Sequence, residues 1–392
     1  MKFFFDDDSF DGQLQRSVGK SDTGMANVGE CLAVAEQITA GDRDSWHDAW
    51  SRFATALAHQ ANAAEAAGHR VSARDAYLRA SEYHRQSFFF HREDLSAPVL
   101  QDAYHASVAA YRAALPLLGH PVRILEGDVP GYLHLPDDSG GPFPTLLHIG
   151  GYDGTAEELH CAAPPALDRG YAIAAIDGPG QGGVLYDQRV VMRPDWEHVV
   201  PGMFDAVAAH AEVDATRVVL VGRSFGGLVG PRGAAGEHRL AAMIVDPGQF
   251  DLGATMLSRL GELGGRVHDP AADAEYESLL QVPALQAFFA PRMSTHGVTT
   301  VRAYCEDMTR YSNAETAASI TCPSYVADNE TDLVSPGQGK VLFGHLTCPK
   351  EFRLFTKAEG ADGHCEGMAP VIFWTAAFNW LDTTLGRPGT GG

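Results

Sequence analysis

The apolar side chains of this chain follow two different spacings, and the change falls near residue 120. In the first 118 residues apolar positions recur every three or four residues, and Trp46, Trp50, Phe53 and Leu57 form the clearest stripe. This spacing places the side chains on one face of an amphipathic helix. We therefore predict an N-terminal helical cap over residues 1–120, with Trp46 and Trp50 as packing residues.

Beyond Pro121, short apolar runs alternate with stretches of helical spacing, and the runs predict strands. They are "RILEG" near 123, "GYLHL" at 131–135, "TLLHIG" at 145–150, "YAIAAID" at 171–177, "RVVLVG" at 217–222, "LAAMIVD" at 240–246, "SYVAD" at 324–328 and "FRLFT" at 352–356. The central runs are continuous rather than alternating, as in parallel strands that helices cover on both faces. Residues 121–385 are thus predicted to form an α/β domain around one sheet.

Three segments outside the strands carry predictions of their own. Residues 155–169 predict a helix that is capped by Thr155, with Glu158 at the capping-box position. Residues 252–320 form a mixed, mostly helical segment between the sixth and seventh strands, where a lid insertion would cover the strand ends. The glycine-rich tail at 386–392 is expected to be disordered.

The charge of the chain argues against two classes of partner. Of its 392 residues, 50 are acidic and 29 are basic, which gives a formal net charge of -21. Such a surface repels phosphate backbones and anionic lipids, so we expect neither nucleic-acid nor membrane binding. No run of about 18 apolar residues predicts a membrane span, and the apolar stretch near the start is too short for a signal peptide.

The cysteines indicate a reducing compartment. There are six, scattered along the chain without C-x-x-C spacing, which signals neither a zinc site nor a redox pair. We therefore expect a cytoplasmic protein without a metal or a cofactor.

The sharpest chemical signal is "VGRSFGGLVG" at 221–230. Ser224 follows an apolar strand, precedes a predicted helix and has Gly222 and Gly226 two residues away on either side. A serine on a tight strand-to-helix turn needs such small neighbours, and the following helix offers free amides to an oxyanion. Ser224 is thus predicted to be a nucleophile, although Pro231 should kink or shorten the helix.

A serine nucleophile needs a base and an acid that orients it, in the chain order serine, acid, histidine. For the acid, "ADNETDLVSP" offers Asp332 at a strand edge, with Asp328 and Glu330 as rivals. For the base, "EGADGHCEGM" contains His364, which is the only histidine between the last strand and the final helix.

Acyl chemistry also needs hydrogen-bond donors for an oxyanion. "HIGGYDGT" closes the third strand, so the backbone amide of Tyr152, or that of Gly151, can pair with the amide of Phe225. "DGPGQG" at 177–182 fits a tight loop at the same sheet edge, and the lysine and Ser/Thr of a phosphate-binding P-loop are absent. His148, at the end of the same strand, is a candidate for a supporting role behind the triad.

Together, "GGYDGT", "DGPGQG", "GRSFGG", "ETDLVSP" and "EGADGHC" resemble the α/β-hydrolase superfamily. The N-terminal "DSWHDAW" and "SARDAYLRASEYHRQSFFF", followed by "GYLHLP", are similar to the branch of 2,6-dihydroxypseudooxynicotine hydrolase, FrsA-like esterases and fungal polyketide-shortening hydrolases. The resemblance implies a triad of Ser224, Asp332 and His364, a helical cap over the active site and a homodimer. Members of the branch cleave esters or a carbon–carbon bond next to a ketone.

The chain departs from this branch at one position of interest. The nicotine-pathway enzyme uses an extra glutamate after the sixth strand, whereas "DPGQFDLGATM" holds Asp246 and Asp251 but no glutamate in clear register. This difference leaves the carbon–carbon mechanism open. Asp251 is a candidate substrate-binding residue, together with Phe88, Phe89 and Phe90 of "SFFFHRED", which either pack in the cap or line an aromatic pocket.

These observations predict a serine hydrolase that acts through an acyl-enzyme on a small, aromatic or polyketide-like carbonyl substrate. Three alternatives stay open: an acyltransferase or cyclase of a natural-product pathway, a peptidase on the same triad, and a binding protein on an inactive hydrolase fold. An acyltransferase or cyclase would keep the serine and pass the acyl group to an acceptor other than water. A peptidase with this triad usually carries a propeller domain, and no blade repeat appears in this chain. The third is disfavoured because serine, acid and histidine all occur in the required order.

Overall fold

The computed structural model describes residues 2–387, which contain one eight-stranded sheet. The strands are β1 (Val122–Leu125), β2 (Gly131–His134), β3 (Phe143–Ile149), β4 (Ala172–Ile176), β5 (Val213–Arg223), β6 (Ala242–Asp246), β7 (Ser324–Asn329) and β8 (Lys350–Phe355). Their order is β1-β2-β4-β3-β5-β6-β7-β8; the pairs β1–β2 and β2–β4 are antiparallel and the other pairs are parallel. The predicted α/β-hydrolase fold and its eight strands are confirmed.

The chain before the sheet is helical, as its apolar stripes predict. The helices are α1 (Asp8–Val18), α2 (Val28–Ala35), α3 (Arg43–Ala66), α4 (Arg70–Phe88) and α5 (Pro98–Ala114). Their apolar faces form one core, in which Trp46, Trp50, Tyr83 and Tyr111 are fully buried. Trp46 and Trp50 therefore pack as expected; the boundary of the cap at residue 120 stays a prediction.

Among residues 2–387, ten further α-helices flank the sheet or lie between its strands. They are α6 (Ala163–Leu167), α7 (Gly182–Tyr186), α8 (Val200–Ala208), α9 (Gly226–Gly236), α10 (Leu252–Arg259), α11 (Asp273–Ser278), α12 (Pro283–His296), α13 (Val301–Met308), α14 (Gln338–His345) and α15 (Pro370–Thr384). Helices α10 to α13 lie in the segment 252–320 between β6 and β7. Among residues 2–387, no helix is both long and apolar enough to cross a bilayer.

Of the tail that we expect to be disordered, residues 388–392 lie outside the described part of the chain. Arg387 is described, and its amide donates a hydrogen bond of 2.8 Å to the carbonyl of Asp382.

The single helix predicted over 155–169 is wrong. The structure has a short 3-10 helix at Glu158–Ala162 followed by α6, and the Thr155 hydroxyl has no hydrogen-bond partner among the described residues. Glu158 does not cap the helix because Arg16 and Lys20 hold its carboxylate.

Pro231 neither ends nor shortens α9, which runs on to Gly236. A proline lacks the N–H that would bond to the carbonyl four residues earlier, here that of Gly227. The amide of Gln249 donates to this carbonyl instead, at 2.9 Å. The lost helical bond is thereby replaced by a tertiary one, which ties α9 to the segment after β6.

Candidate active site

The turn between β5 and α9 holds Ser224 in a strained conformation. The residue has a φ of +56°, in the left-handed region that residues other than glycine rarely adopt. A Cβ at Gly222 would lie 2.2 Å from the carbonyl oxygen of Gly226, so only glycine permits this close approach. The amide of Ser224 donates to the carbonyl of Asp246 at 2.7 Å. The G-x-S-x-G spacing thus has a direct steric cause.

Loops after β7 and β8 bring an acid and a histidine to this serine. The Oγ of Ser224 and the Nε2 of His364 are 2.8 Å apart, and the Nδ1 of His364 is 3.1 Å from the Oδ1 of Asp332. Asp332 is buried, and its carboxylate also accepts hydrogen bonds from the Ser335 hydroxyl at 2.7 Å and the Val334 amide at 2.8 Å. The carboxylate is therefore fixed by groups other than the histidine.

The electrostatics of this series favour an ionised acid and a basic imidazole. Burial opposes ionisation of Asp332, but the hydrogen bond and charge of His364 outweigh it and lower the pKa of Asp332 to about 2. Burial also opposes a charged imidazole, whereas Cys365 and Asp332 favour it, and the pKa of His364 lies well above its ordinary value. The His364 imidazole is thus a stronger base than that of a free histidine.

The two alternative acids, Asp328 and Glu330, accept hydrogen bonds from backbone amides instead. The carboxylate of Asp328 accepts from the amides of Asn329 and Lys340, at 3.0 and 3.2 Å. That of Glu330 accepts from the amide of Lys357 at 2.7 Å. The geometry therefore brings Asp332, and neither rival, to His364.

The glycine pair after β3 packs directly against the serine. A Cβ at Gly151 would lie 3.1 Å from the Ser224 Oγ, so this backbone borders the hydroxyl. The ring of Tyr152 packs edge-on against the buried ring of Phe225, with centroids 4.8 Å apart. Within the described chain, the amides of Gly151, Tyr152 and Phe225 have no backbone acceptor. The donors predicted for an oxyanion lie on the two loops that flank Ser224, and the choice between Gly151 and Tyr152 stays open.

Two neighbouring segments hold the loop after β3 in place. The side-chain amide of Gln181, from "DGPGQG", donates to the carbonyls of Gly150 and Gly151 at 2.8 and 3.0 Å. On the opposite side, the ring of His296 stacks on that of Tyr152 at 5.5 Å. Preorganised donors stabilise developing charge best because they need no rearrangement during the reaction.

A buried set of ion pairs joins the same loop to the N-terminal helices. Arg16 on α1 contacts Asp153 at 2.8 Å and Glu158 at 2.6 Å, and Lys20 contacts Glu158 at 2.5 Å. We call the whole set the cap-side network; its members are Arg16, Lys20, Glu82, Arg85, Arg92, Asp153 and Glu158. Burial would raise the pKa of Asp153 and Glu158, but the neighbouring cations outweigh it and hold both values well below their ordinary range.

A second buried cluster links the serine turn to the histidine loop. Arg223, directly before Ser224, donates to the Asp246 carboxylate at 2.8 Å, the Cys365 carbonyl at 2.7 Å and the Glu366 carboxylate at 3.1 Å. Cys365 and Glu366 both have a positive φ, at 52° and 55°. One guanidinium therefore holds the residues that follow His364 in a strained turn beside the serine.

The Arg223 cluster contains two buried carboxyl groups but only one cation. Burial and the nearby Asp246 raise the pKa of Glu366 well above its ordinary value. The Oδ1 of Asp246 otherwise has no hydrogen-bond partner among the described residues. Burial and the neighbouring carboxylate thus favour the protonated form of Glu366. Asp246 thus supports the site from behind and does not line the cavity.

A cavity of about 1080 Å³ opens onto Ser224 and His364. Phe89 and Phe90 line it, together with α1, the loop after β3 and residues of 249–308. Phe88 does not line it and needs correction as a candidate substrate contact: the side chain is buried and packs against Tyr104 and Tyr186. Its position on α4 turns it away from Phe89 and Phe90.

Asp251 also lies outside the cavity lining. Its carboxylate caps helix α10 by accepting from the Ala254 amide at 2.7 Å, which is an ordinary role for a residue at that position. Gln249 and Leu252 line the cavity in its place.

His148 lines the cavity but does not contact the triad by a hydrogen bond. Its ring lies edge-on to Trp374 at 5.9 Å, and neither ring nitrogen has a partner among the described residues. Burial, helped by Arg223, lowers the pKa of His148 to about 3, so the ring is neutral at physiological pH.

Comparison with known proteins agrees with this geometry. The FrsA-like esterase family ("Esterase FrsA-like") matches residues 36–316, which is most of the chain. The chain belongs to this family. It is a hydrolase of the α/β-hydrolase type, and the recognition made from the sequence motifs is confirmed.

Two curated relatives of this FrsA-like protein match along nearly their whole length. "Hydrolase acrC" of Aspergillus aculeatus is 30% identical, and "20-hydroxy-prefusarin hydrolase FUS2" of Gibberella moniliformis is 37% identical; each match covers 97% of both chains. The solved structure of 2,6-dihydroxy-pseudo-oxynicotine hydrolase superposes with a TM-score of 0.72 at 23% identity, over 94% of this chain and 96% of the other. That likeness concerns the fold.

Sequence reasoning missed several residues that shape the site of this FrsA-like hydrolase. Gln181 lies within a motif that we assigned only to a tight loop, and Arg223 lies beside the serine but binds Cys365, 142 residues away. Only the short motif around each residue offered a signal. Across the described residues, no group of three or more His, Cys, Asp or Glu side chains is placed to hold a metal ion.

Proposed function

We propose that this chain is a serine hydrolase that cleaves an ester, or a carbon–carbon bond next to a ketone, in a small organic substrate. The observation that carries the proposal is the series Ser224, His364 and Asp332, with contacts of 2.8 and 3.1 Å. The relative FUS2, named for hydrolysis of 20-hydroxy-prefusarin, supports a small organic substrate. The cavity of about 1080 Å³, which Phe89, Phe90, Phe288 and Phe289 help to line, supports an aromatic or polyketide-like molecule.

The first half of the reaction forms an acyl-enzyme. The Nε2 of His364 takes the hydroxyl proton of Ser224 while the Oγ attacks the substrate carbonyl carbon. The amides of Phe225 and of Tyr152 or Gly151 stabilise the resulting oxyanion, and one such donor typically contributes about 3 to 4 kcal/mol. The bond to the leaving group then breaks, and His364 gives its proton to that group.

The second half releases the product acid. Water loses a proton to His364 and attacks the acyl carbon, after which the bond to Oγ breaks and the proton returns to Ser224. Asp332 stays ionised throughout and stabilises the imidazolium form of His364.

The leaving group decides which bond is cleaved. With an ester, the bond to oxygen breaks and an alcohol or phenol leaves. With a β-diketone, the bond to the carbon between the carbonyls breaks, and that carbon leaves as an enolate that His364 protonates. The same three residues serve both reactions.

Product analysis with two substrates tests the proposal. We would incubate the protein with 4-nitrophenyl butyrate and with 1-phenyl-1,3-butanedione, and identify the products by liquid chromatography and mass spectrometry. We expect cleavage of at least one substrate, with loss of at least 1000-fold in kcat in Ser224→Ala. The identity of the cleaved substrate assigns the bond class.

Ser258→Ala is the matched control, since Ser258 is an exposed serine on α10 outside the cavity lining. Cleavage of neither substrate, or cleavage that survives in Ser224→Ala, would contradict the proposal. The homodimer and the cytoplasmic location that we expect from the sequence stay predictions.

A further inference from the structure

The part of the cavity wall that residues 249–308 contribute has few charged side chains. We call it the lid wall, and its cavity-lining members are Gln249, Leu252, Thr255, Met256, Arg259, Leu260, Ala284, Leu285, Ala287, Phe288, Phe289, Pro291, Arg292, Tyr304 and Met308. Within the described chain this wall contains two arginines and no carboxylate. An apolar wall with so few polar groups suits a ligand that carries one charged group.

Arg259 already has a structural role. It is exposed, and its guanidinium donates to the carbonyls of Leu333 and Val334, next to Asp332, at 2.9 and 3.5 Å. It therefore ties α10 to the loop that carries the acid.

Arg292 on α12 lacks an equivalent partner. Its guanidinium lies 3.8 Å over the ring of Phe288, and its Nη1 donates to the carbonyl of the same residue at 2.7 Å. It forms no ion pair with any described residue, although a guanidinium has five N–H donors. The side chain is therefore oriented by stacking while most of its donors stay available.

The position of Arg292 relates it to the reaction centre. Its guanidinium carbon is 5.5 Å from the centroid of the Tyr152 ring, and that ring packs against Phe225. The amide of Phe225 and that of Tyr152 or Gly151 are the predicted oxyanion donors beside Ser224. Arg292 and Ser224 line the same cavity, so one ligand in it can contact both residues.

Most of the other arginines that line the cavity are paired with carboxylates of the protein, namely Arg16, Arg43, Arg92 and Arg223. Arg169 has no carboxylate partner among the described residues either, but it stacks on Phe378, donates to the Pro165 carbonyl and lies outside the lid wall. The chain has 50 acidic residues against 29 basic ones, so a carboxylate partner for Arg292 is not scarce. A partly buried cation that the protein leaves unpaired gains most from a ligand anion.

We propose that Arg292 binds a carboxylate of the substrate, so that the hydrolase acts on an aromatic or polyketide-like acid. A carboxylate fits better than a phosphate, because one planar guanidinium offers two parallel donors and a single charge within an apolar wall. The assignment of this ligand as the substrate rests on the proposed function, whereas the binding itself does not.

A binding experiment tests the inference without turnover. In the Ser224→Ala protein, we would measure by calorimetry the affinities of 4-phenylbutanoate and of 4-phenylbutanamide, which differ in the charge of one end. We expect the carboxylate to bind about tenfold more tightly than the amide. In Ser224→Ala with Arg292→Gln, the ratio should fall to about one, whatever the effect on overall affinity.

The control is Ser224→Ala with Arg52→Gln, which removes an exposed arginine without an ion pair from the surface of α3 and changes the net charge equally. Here the tenfold ratio should persist. A carboxylate preference that is absent in the parent, or that survives in Arg292→Gln, overturns the inference. If the preference is present but no ester or ketone is cleaved by the wild type, the proposed function fails while the anion site stands.

Discussion

The charged side chains of the cap-side network are paired with one another, whereas Arg292 of the lid wall is not. On the cap side, Arg16 and Lys20 each contact two carboxylates, and Asp153 and Glu158 are held by these cations. On the lid wall, Arg292 has no carboxylate partner among the described residues. The contrast indicates that the cap-side charges serve the architecture, while the lid-side charge serves a ligand.

Removal of a carboxylate from the cap-side network should have the largest effect on stability. Glu158→Ala removes the carboxylate that the buried Lys20 and the partly buried Arg16 share, at 2.5 and 2.6 Å, so the network keeps its cations but loses one of its three carboxylates. We expect the free energy of unfolding to fall by about 3 to 5 kcal/mol, measured by urea denaturation.

Two further variants serve as comparisons for the loss of stability in Glu158→Ala. Glu262→Ala removes an exposed carboxylate near the lid wall and should change the free energy of unfolding by less than about 0.5 kcal/mol. Arg292→Gln, which breaks no ion pair, should change it by less than about 1 kcal/mol. Equal losses in Glu158→Ala and Arg292→Gln would remove the contrast between the two sides.

A milder change on the cap side should affect catalysis through the loop after β3. Asp153→Asn keeps a hydrogen-bond acceptor for Arg16 but loses the charge beside Tyr152. Since this loop carries a predicted oxyanion donor, we expect kcat to fall about tenfold, or ~1.4 kcal/mol, with a smaller change in KM. Steady-state kinetics on the better substrate would measure both.

The control is Asp138→Asn, at an exposed position with no ion pair among the described residues. An unchanged kcat in Asp153→Asn, or a loss confined to KM, would mean that the cap-side network does not position the loop.

The pH dependence distinguishes the catalytic role of His364 from the structural role of the cap-side carboxylates without any substitution. The pKa of His364 is raised above its ordinary value of 6.5, and His364 must be neutral to act as a base. As the pH falls, kcat/KM should therefore begin to decrease while the pH is still above 6.5. The pKa values of Asp153 and Glu158 are depressed, so their contribution to stability is complete above their ordinary values of 3.8 and 4.5 and is lost only below them. Activity should therefore disappear before the contribution of these two carboxylates to stability does.

Rate measurements and circular dichroism over pH 3 to 9 would follow the two transitions. Coincident midpoints would show that activity is lost through unfolding rather than through protonation of His364.

The sequence was informative where local spacing has a local cause. Short apolar runs predict all eight strands. The G-x-S-x-G motif is recognisable because a Cβ at Gly222 would clash with the carbonyl oxygen of Gly226, so the turn requires glycine there. Serine, acid and histidine could be assigned to one site because the carboxyl ends of parallel strands meet at one edge of the sheet. The structure brings these side chains together; their catalytic roles stay the proposal.

The sequence was uninformative where the partner is remote. Arg16 and Glu158 are 142 residues apart, and no sequence pattern near either residue predicts their contact. For the same reason, Glu158 was misread as a helix cap, and Phe88 could not be told from Phe89 and Phe90. Each of these outcomes depends on how the N-terminal helices pack on the sheet, which single-residue spacing does not encode.

The most direct test of the account is covalent labelling of Ser224. We would treat the wild type, Ser224→Ala and Ser258→Ala with a fluorophosphonate probe, and locate the modified peptide by mass spectrometry. The account predicts one label on the peptide that contains Ser224 in the wild type and in Ser258→Ala, and none in Ser224→Ala. A wild type that stays unlabelled, or a Ser224→Ala protein that is labelled as fast as the wild type, would contradict it.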